Sequence, residues 1–180
     1  MPSYIALFRG INVGKAKRIA MADLRKVVEG LGYADVKTLL NSGNLVFTAR
    51  GKATDAASKI EKAVATKLGV SSRVTVLSAT EVAAAVEENP LGDVATNPSH
   101  LLLLVPWDAR AHAELKPLLK QNWRPEQLAL GKRVAYIWCA ENIVHSPLWA
   151  AVNKMLKDRG TSRNISTMKK LVAMSAAGDA

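Results

Sequence analysis

The hydrophobic and polar positions of the first 90 residues predict alternating strands and helices. Residues 4–8 form a short apolar run that ends at a glycine-bearing loop, which is typical of a strand. Apolar residues then recur at helical spacing over residues 21–31, and Gly32 stands where a helix C-cap glycine is expected. The chain is therefore predicted to begin with a strand followed by a helix.

The next segments predict a hairpin, a second helix and a fourth strand. Residues 36–40 and 45–48 flank the group Asn-Ser-Gly-Asn at 41–44, in which the glycine suits a positive φ. A helical pattern covers residues 55–68 and ends at Gly69, and residues 73–77 alternate like a strand. The order βαββαβ that results is the ferredoxin-like order.

The second half is predicted to start after a short helix at 80–88 and a linker at 89–99, which contains two prolines and a glycine. Residues 101–105 indicate a buried strand, and Asp108 is expected to cap a helix that ends near residue 119. Residues 134–139 and 143–145 predict another hairpin.

Two helices are predicted near the C-terminus. Ser146 followed by Pro147 is the preferred start of a helix, here ending near residue 156, and a last helix is expected after Thr161 or Asn164. We therefore expect an α+β fold with a ferredoxin-like first lobe, residues 1–88, packed on a smaller α+β lobe, residues 89–180, in one compact unit. The two halves share their element order only loosely in the sequence.

The predicted topology places two polar loops side by side, where they form a candidate site. In a βαββαβ sheet the third strand lies antiparallel beside the first, so the loop at 9–14 (Arg-Gly-Ile-Asn-Val-Gly) should adjoin the turn at 41–44. Glycines allow backbone amides to approach a ligand, and an arginine beside asparagine and serine donors suits a carboxylate or a phosphate. The alternative is that these glycines only permit a hairpin turn and an unusual loop path.

Residues 10–15 also resemble the nucleotide phosphate-binding loop, but one residue is missing and Ala16 replaces the hydroxyl that binds magnesium. We therefore do not predict a nucleotide triphosphatase.

Several segments together resemble a bacterial domain-of-unknown-function family, number 1697. They are residues 9–14, the Met-Ala-Asp-Leu segment at 21–24, the Asn-Ser-Gly-Asn-Leu-Val-Phe segment at 41–47 and the Thr-Ser-Arg-Asn-Ile-Ser-Thr segment at 161–167. The resemblance spans nearly the whole chain and implies a two-lobed α+β fold with a ferredoxin-like first lobe and no established activity.

The family's polar signature, carried over position by position, adds a C-terminal group to the two loops. The predicted ligand-binding residues are Arg9, Gly10, Asn12, Gly14, Ser42, Gly43, Asn44, Arg163, Asn164 and Thr167. Ser162 stands where the family has a second arginine, and Ile165 and Ser166 stand for tryptophan and asparagine. At the start of a helix Arg163 and Asn164 would offer a guanidinium and backbone amides to an anion, and helix capping is their alternative role.

Charge favours an anionic partner, and little in the chain favours catalysis. The formal net charge is +10, and residues 9–18 contain four bases and no acid. The three histidines lack the spacing of a zinc site, Cys139 is expected to be a buried structural thiol, and no pair of carboxylates suits acid–base work. No metal site is predicted, and neither a cofactor nor a catalytic residue is identified.

The N-terminus does not resemble a signal peptide, and the apolar runs are far shorter than the roughly 20 residues of a membrane span. A single cysteine cannot form an intramolecular disulfide, which suits a reducing compartment. We therefore expect a cytoplasmic protein without a membrane partner.

Three functions remain open at this point. The first is binding of a phosphate- or carboxylate-bearing small molecule at the edge formed by the 9–14 and 41–44 loops. The second is an RNA-binding module that uses Tyr4, Phe8 and Phe47, although Ile5 and Leu7 make the opposite sheet face apolar too. The third is a non-catalytic interaction or regulatory protein whose polar loops contact a protein partner.

Overall fold

The computed structural model describes residues 1–177, and the chain divides into two compact units. Residues 84–169 form one unit, and residues 1–83 with the described chain from residue 170 onward form the other. Within the described residues, no helix combines the length and the apolar character that crossing a bilayer requires.

The first unit begins with six elements in the predicted order. They are β1 (Ser3–Phe8), α1 (Met21–Glu29), β2 (Ala34–Leu39), β3 (Asn44–Thr48), α2 (Ala53–Leu68) and β4 (Val74–Ser78). Gly69 ends α2 with a left-handed φ of 67°, as predicted, whereas α1 ends two residues before the expected position and has Gly30 at its C-cap. Gly32 lies in the turn that follows, with a φ of 83°.

The four strands form an antiparallel sheet in the order β2-β3-β1-β4. The order places β3 beside β1 and is compatible with the ferredoxin-like arrangement. The α+β class predicted from the sequence is confirmed.

One face of this sheet and the two helices form a hydrophobic core. Tyr4, Ala6 and Phe8 of β1 alternate with residues of the other face, because successive strand side chains point to opposite sides. They pack with apolar residues of α1 and α2, among them Leu24 and Ile60, which are fully buried. Burial of a side chain of this size contributes about 1.5–3 kcal/mol, so the alternation in β1 stabilises the attachment of both helices.

The opposite face of the sheet is also buried. Ile5 and Leu7 have no exposed surface, and Val46 and Leu77 are nearly inaccessible. The apolar character of both faces of β1 in the sequence therefore corresponds to burial of both faces.

The second unit repeats the order of elements more closely than the sequence indicates. It contains β5 (Leu101–Pro106), α4 (Ala109–Ala113), β6 (Gln127–Leu130), β7 (Ala135–Trp138), α5 (Pro147–Leu156) and β8 (Gly160–Asn164). Its antiparallel sheet has the order β6-β7-β5-β8, which is the strand order of the first sheet counted from its own first strand. The chain passes between the units within two further helices, α3 (Ala79–Glu87) and α6 (Ile165–Ala176).

The predicted hairpin of residues 134–139 with 143–145 is wrong. β7 pairs with β6 on one side and with β5 on the other, and residues 143–145 form a turn. The Asn142 side-chain oxygen accepts from the His145 amide at 2.8 Å. The amide is therefore bonded locally and not to a neighbouring strand.

The helix predicted from Asp108 to residue 119 is shorter than expected. Asp108 caps α4 by accepting from the Ala111 amide at 2.7 Å, but α4 ends at Ala113 and a 3-10 helix follows at Lys116–Lys120. Pro117 explains the end, because a proline has no amide to donate and its ring clashes with the carbonyl four residues earlier.

Candidate functional site

The end of β1 and the start of β3 lie side by side, as the predicted topology requires. Leu7 is opposite Asn44 in the sheet register, and the Phe8 amide donates to the Gly43 carbonyl at 2.8 Å. The long loop, residues 9–20, and the hairpin turn, residues 40–43, therefore leave the sheet at the same end. The structure thus brings together the two predicted loops of this unit.

Asn12 joins the two loops through its side chain. Its Nδ2 donates to the Asn41 carbonyl in the hairpin turn at 2.7 Å and to the Ile19 carbonyl at 2.9 Å. Its Oδ1 accepts from the Ile19 amide at 2.8 Å. Because both N–H groups of the side chain are used within the protein, Asn12 holds the site together and has none left to donate to an anion.

The backbone of the long loop folds back on itself. The Asn12 amide donates to the Lys17 carbonyl at 3.0 Å, and the loop has positive φ at Gly10, Asn12, Gly14 and Lys17. No heavy atom of the described chain outside the immediate neighbours lies within 4 Å of a Cβ built on Gly10 or Gly14. These two glycines therefore serve the loop conformation and leave open space beside the backbone.

Gly43 serves a different purpose. A Cβ at this position would lie 2.6 Å from Phe8 Cβ and 2.6 Å from Ile11 Cδ1, and φ is 81°. Both the backbone conformation and the close approach of the long loop to the hairpin turn require glycine here. The residue is buried, so it shapes the site from within.

Asn44 and Ser42 stabilise the hairpin turn. The fully buried Asn44 side chain donates from Nδ2 to the Leu39 carbonyl at 2.8 Å and to Ser42 Oγ at 3.0 Å. Leu39 ends β2 and Asn44 begins β3, so the bond between them joins the two strands at the turn. This is the structural alternative for these residues, in which they only form a hairpin turn.

Arg9 is positioned through its backbone. Its amide donates to the Arg73 carbonyl at 2.9 Å, and its carbonyl accepts from Ser72 Oγ at 2.8 Å. The residue is partly buried at the start of the long loop.

A cleft of about 250 Å³ opens where the two loops meet. Its lining residues are Asn12, Arg18, Ile19, Ala20 and Asn41. Sequence reasoning assigned only one of these to the ligand site. Ile19 and Ala20 carry no polar group that could have marked them, whereas Arg18 belongs to the basic run that the sequence does reveal.

The cleft lies next to the N-terminus of α1. Ala20 occupies the N-cap position and provides no side-chain hydrogen bond to the first turn. The unpaired amides and the aligned peptide dipoles of a helix start favour nearby negative charge. Asp23, an exposed acid in that first turn, already satisfies part of this preference.

The predicted ligand-binding residues near the C-terminus, Arg163, Asn164 and Thr167, lie in the second unit, residues 84–169. Arg163 is in β8 opposite Leu103, and its Nη1 donates to Ser162 O at 2.8 Å and to Thr161 Oγ1 at 3.2 Å. Burial lowers the pKa of Arg163 to about 10, so the guanidinium remains charged at neutral pH.

Asn164 caps the helix α6. Its Oδ1 accepts from the Thr167 amide at 2.8 Å, which is the bond expected of an N-cap residue. Thr167 itself is buried. The capping role considered for Asn164 is therefore present.

The remaining candidate chemistry is structural. Cys139 is completely buried, and burial raises the pKa of its thiol, although a hydrogen bond with Ser146 acts in the opposite direction. Ser146 caps α5 by accepting from the Trp149 amide at 2.9 Å. Among residues 1–177, no group of three or more histidine, cysteine or acidic side chains could hold a metal ion.

The aromatic residues considered for RNA contact belong to the core of the first unit. Phe8 and Phe47 have no exposed surface, and Tyr4 stacks on Phe47 with ring centroids 5.7 Å apart. Their aromatic faces are not displayed on an open sheet surface, so they do not form the platform that the RNA-binding alternative needs.

Comparisons with known proteins identify a family and a similar fold. Residues 1–136 match the family model described as "Protein of unknown function (DUF1697)". No curated protein matches the chain. The conserved bacterial protein SP0830 from Streptococcus pneumoniae has a similar structure, with a TM-score of 0.73 and 23% sequence identity over 97% of this chain and 98% of that chain. The family resemblance predicted from the sequence motifs is confirmed, and the chain belongs to the DUF1697 family.

Proposed function

We propose that the protein binds an anionic small molecule, bearing a phosphate or a carboxylate, where the long loop meets the hairpin turn. The observation that carries the proposal is the cleft of about 250 Å³ at this junction, whose lining includes Arg18. Arginine presents several N–H donors in a planar fork, which matches the oxygens of either group.

The surrounding charge supports an anion. Lys15, Lys17 and Arg18 are exposed on the long loop, and residues 9–18 contain no acidic side chain. Exposed cations of this kind raise the local concentration of anions, and the adjoining start of α1 adds a partial positive charge of roughly half an elementary charge.

The proposed activity is binding. The cleft-lining residues Asn12, Arg18, Ile19, Ala20 and Asn41 include no carboxylate, imidazole or thiol that could transfer a proton or attack a substrate.

Isothermal titration calorimetry with inorganic phosphate, acetate and a panel of phosphorylated and carboxylated metabolites tests the proposal. Titrations are made at constant ionic strength, because screening weakens contacts with exposed charges. We expect saturable binding of at least one compound to the wild-type protein and loss of that binding in Arg18→Gln.

The matched control is Arg25→Gln. Arg25 is an exposed arginine on α1 outside the cleft lining, so its replacement removes the same charge from the same unit. An equal loss of binding in both variants would indicate a non-specific charge effect, and absence of saturable binding across the panel would refute the proposal.

A second candidate, a non-catalytic interaction protein, is favoured by two exposed apolar side chains. Val13 on the long loop is 69% exposed, and Leu40 in the hairpin turn is 58% exposed. Leu40 also has a φ of 60°, which is uncommon for a residue with a branched apolar side chain.

This candidate predicts a different response to mutation. A stoichiometric partner that copurifies with the protein should be lost in Leu40→Ser and retained in Arg18→Gln. Retention of the partner by Leu40→Ser would contradict a contact through these loops.

A further inference from the structure

We infer that the bound group is a phosphate, held by the backbone amides of Val13, Gly14 and Lys15. This inference rests on the proposed function, because it names the ligand class of the same loop. It concerns the backbone of the long loop, whereas the proposed function rests on the cleft and on Arg18.

The sign of φ alternates along the first half of the long loop. It is positive at Gly10, Asn12 and Gly14, with values of 67°, 55° and 62°, and negative at the residues before each of them. A residue pair of opposite backbone hand turns successive N–H groups toward one concave side, and such concavities bind phosphates in many proteins. Asn and Gly are the residues that adopt the left-handed conformation most readily, so the sequence suits this path.

The amides at the end of the alternating run are available. The amide of Asn12 is used by the Lys17 carbonyl, but those of Val13, Gly14 and Lys15 donate no hydrogen bond to any described residue. All three residues are exposed, so this part of the loop lies at the protein surface.

The arrangement suits a phosphate better than a carboxylate. A carboxylate is planar and its two oxygens are satisfied by one arginine fork. A phosphate monoester has three terminal oxygens and up to two negative charges, so it can accept from several amides while it contacts ammonium groups. Lys15 and Lys17, both exposed on the same loop, supply such groups.

The loop lacks what phosphoryl transfer from a nucleotide triphosphate requires. Ala16 follows Lys15 where the nucleotide phosphate-binding loop has a hydroxyl that binds magnesium. The inferred ligand is therefore a phosphate monoester that is bound without magnesium at this position.

An NMR titration of the ¹⁵N-labelled full chain tests the inference directly. Inorganic phosphate and acetate are added separately at constant ionic strength and pH, and the backbone amide shifts are followed. We expect saturable shifts with phosphate that are largest at residues 13–15, and weaker or no saturation with acetate.

The variant Gly14→Ala provides a second readout. A Cβ at Gly14 meets no atom within 4 Å, so the substitution acts only through its φ of 62° and should shift the loop away from the alternating path. We expect its phosphate affinity to fall by about fivefold or more. The matched control is Gly69→Ala, which has a φ of 67°, equally open space and no place in the loop, and should retain wild-type affinity.

The outcomes separate this inference from the proposed function. Saturable carboxylate binding that depends on Arg18 without shifts at residues 13–15 would overturn the inference and leave the proposed function standing. Equal affinities in Gly14→Ala and the wild type would also overturn it. No saturable shift with any anion would refute both.

Discussion

The Asn12 side-chain amide donates to the Asn41 carbonyl across 2.7 Å, so the long loop is tied to the hairpin turn beside it by a side chain. The same side chain exchanges two further bonds with Ile19, at 2.9 and 2.8 Å. One asparagine therefore connects both ends of the loop to the neighbouring turn. Asn12, Ile19 and Asn41 all line the cleft, so the side-chain bonds of Asn12 hold three of its lining residues together.

We expect Asn12→Ala to destabilise the protein by about 2 kcal/mol, because three hydrogen bonds are lost, two of them partly buried, and alanine disfavours the left-handed conformation. Urea unfolding measures the change. The matched variant Asn41→Ala should stay within about 0.5 kcal/mol of the wild type, because only the backbone carbonyl of Asn41 accepts the bond. Equal destabilisation by the two variants would contradict the role assigned to Asn12.

We expect Gly43→Ala to cost about 3 kcal/mol, because the added methyl group would overlap Phe8 Cβ and the Ile11 side chain in a left-handed backbone. The measurement is again the free energy of unfolding in urea. Gly32→Ala isolates the backbone effect, since Gly32 has a φ of 83° but no atom near its Cβ position, and it should cost about 1 kcal/mol. If the two variants are equally stable, the close approach of the long loop to the hairpin turn is not as described.

The ion pair between Arg159 and Glu114 predicts a pH dependence of stability. Arg159 Nη1 donates to Glu114 Oε1 at 3.1 Å and Nη2 donates to Oε2, and these bonds hold the pKa of Glu114 below its ordinary value. A lowered folded-state pKa stabilises the protein above the ordinary pKa of a glutamate, about 4.3, and the effect is lost as the pH falls through the folded-state value.

Glu114→Gln should therefore lower the urea midpoint at pH 7, and the difference from the wild type should shrink on acidification below the folded-state pKa. Both side chains are about one-third exposed, so the effect is expected to be small and to decrease with salt. Glu141→Gln, at an exposed carboxylate, serves as the control and should not alter the pH profile. A difference that persists unchanged at low pH would argue against the ion pair as its source.

Cys139 should resist a disulfide reagent in the native protein. The thiol is completely buried and its pKa is raised, so both access and the thiolate fraction are low. We expect the single thiol to react with Ellman's reagent at pH 8 only on unfolding in urea. Rapid reaction of the native protein would show that the strand β7 opens readily at its end.

Local sequence signals determined much of the order of elements. The βαββαβ order of the first unit follows from apolar periodicity that switches between two and about 3.6 residues, together with Gly69 at the end of α2. Asp108 and Ser146 mark helix starts because a short polar side chain can accept from an amide three residues on. Such signals lie within a few residues of one another, so they can be recognised without the fold.

Elements whose conformation depends on distant partners could not be predicted in this way. The strand β8 has the polar sequence Gly-Thr-Ser-Arg-Asn and lies at the edge of its sheet, so no apolar alternation marks it. Its extended backbone is stabilised by pairing with β5, nearly 60 residues earlier in the chain. The repeat of strand order in the two units also depends on pairing between distant strands, so the sequence does not reveal it.

For the candidate site, the sequence by itself determined that a glycine-bearing basic loop follows β1 and that topology brings it beside the 41–44 segment. Only the tertiary structure decided what the residues do there. In the structure the Asn12 side chain links the two loops, Gly43 lies at a point of close packing, and Ile19 and Ala20 line the cleft. These roles depend on distances between groups far apart in the chain, and no local pattern of residue types encodes such distances.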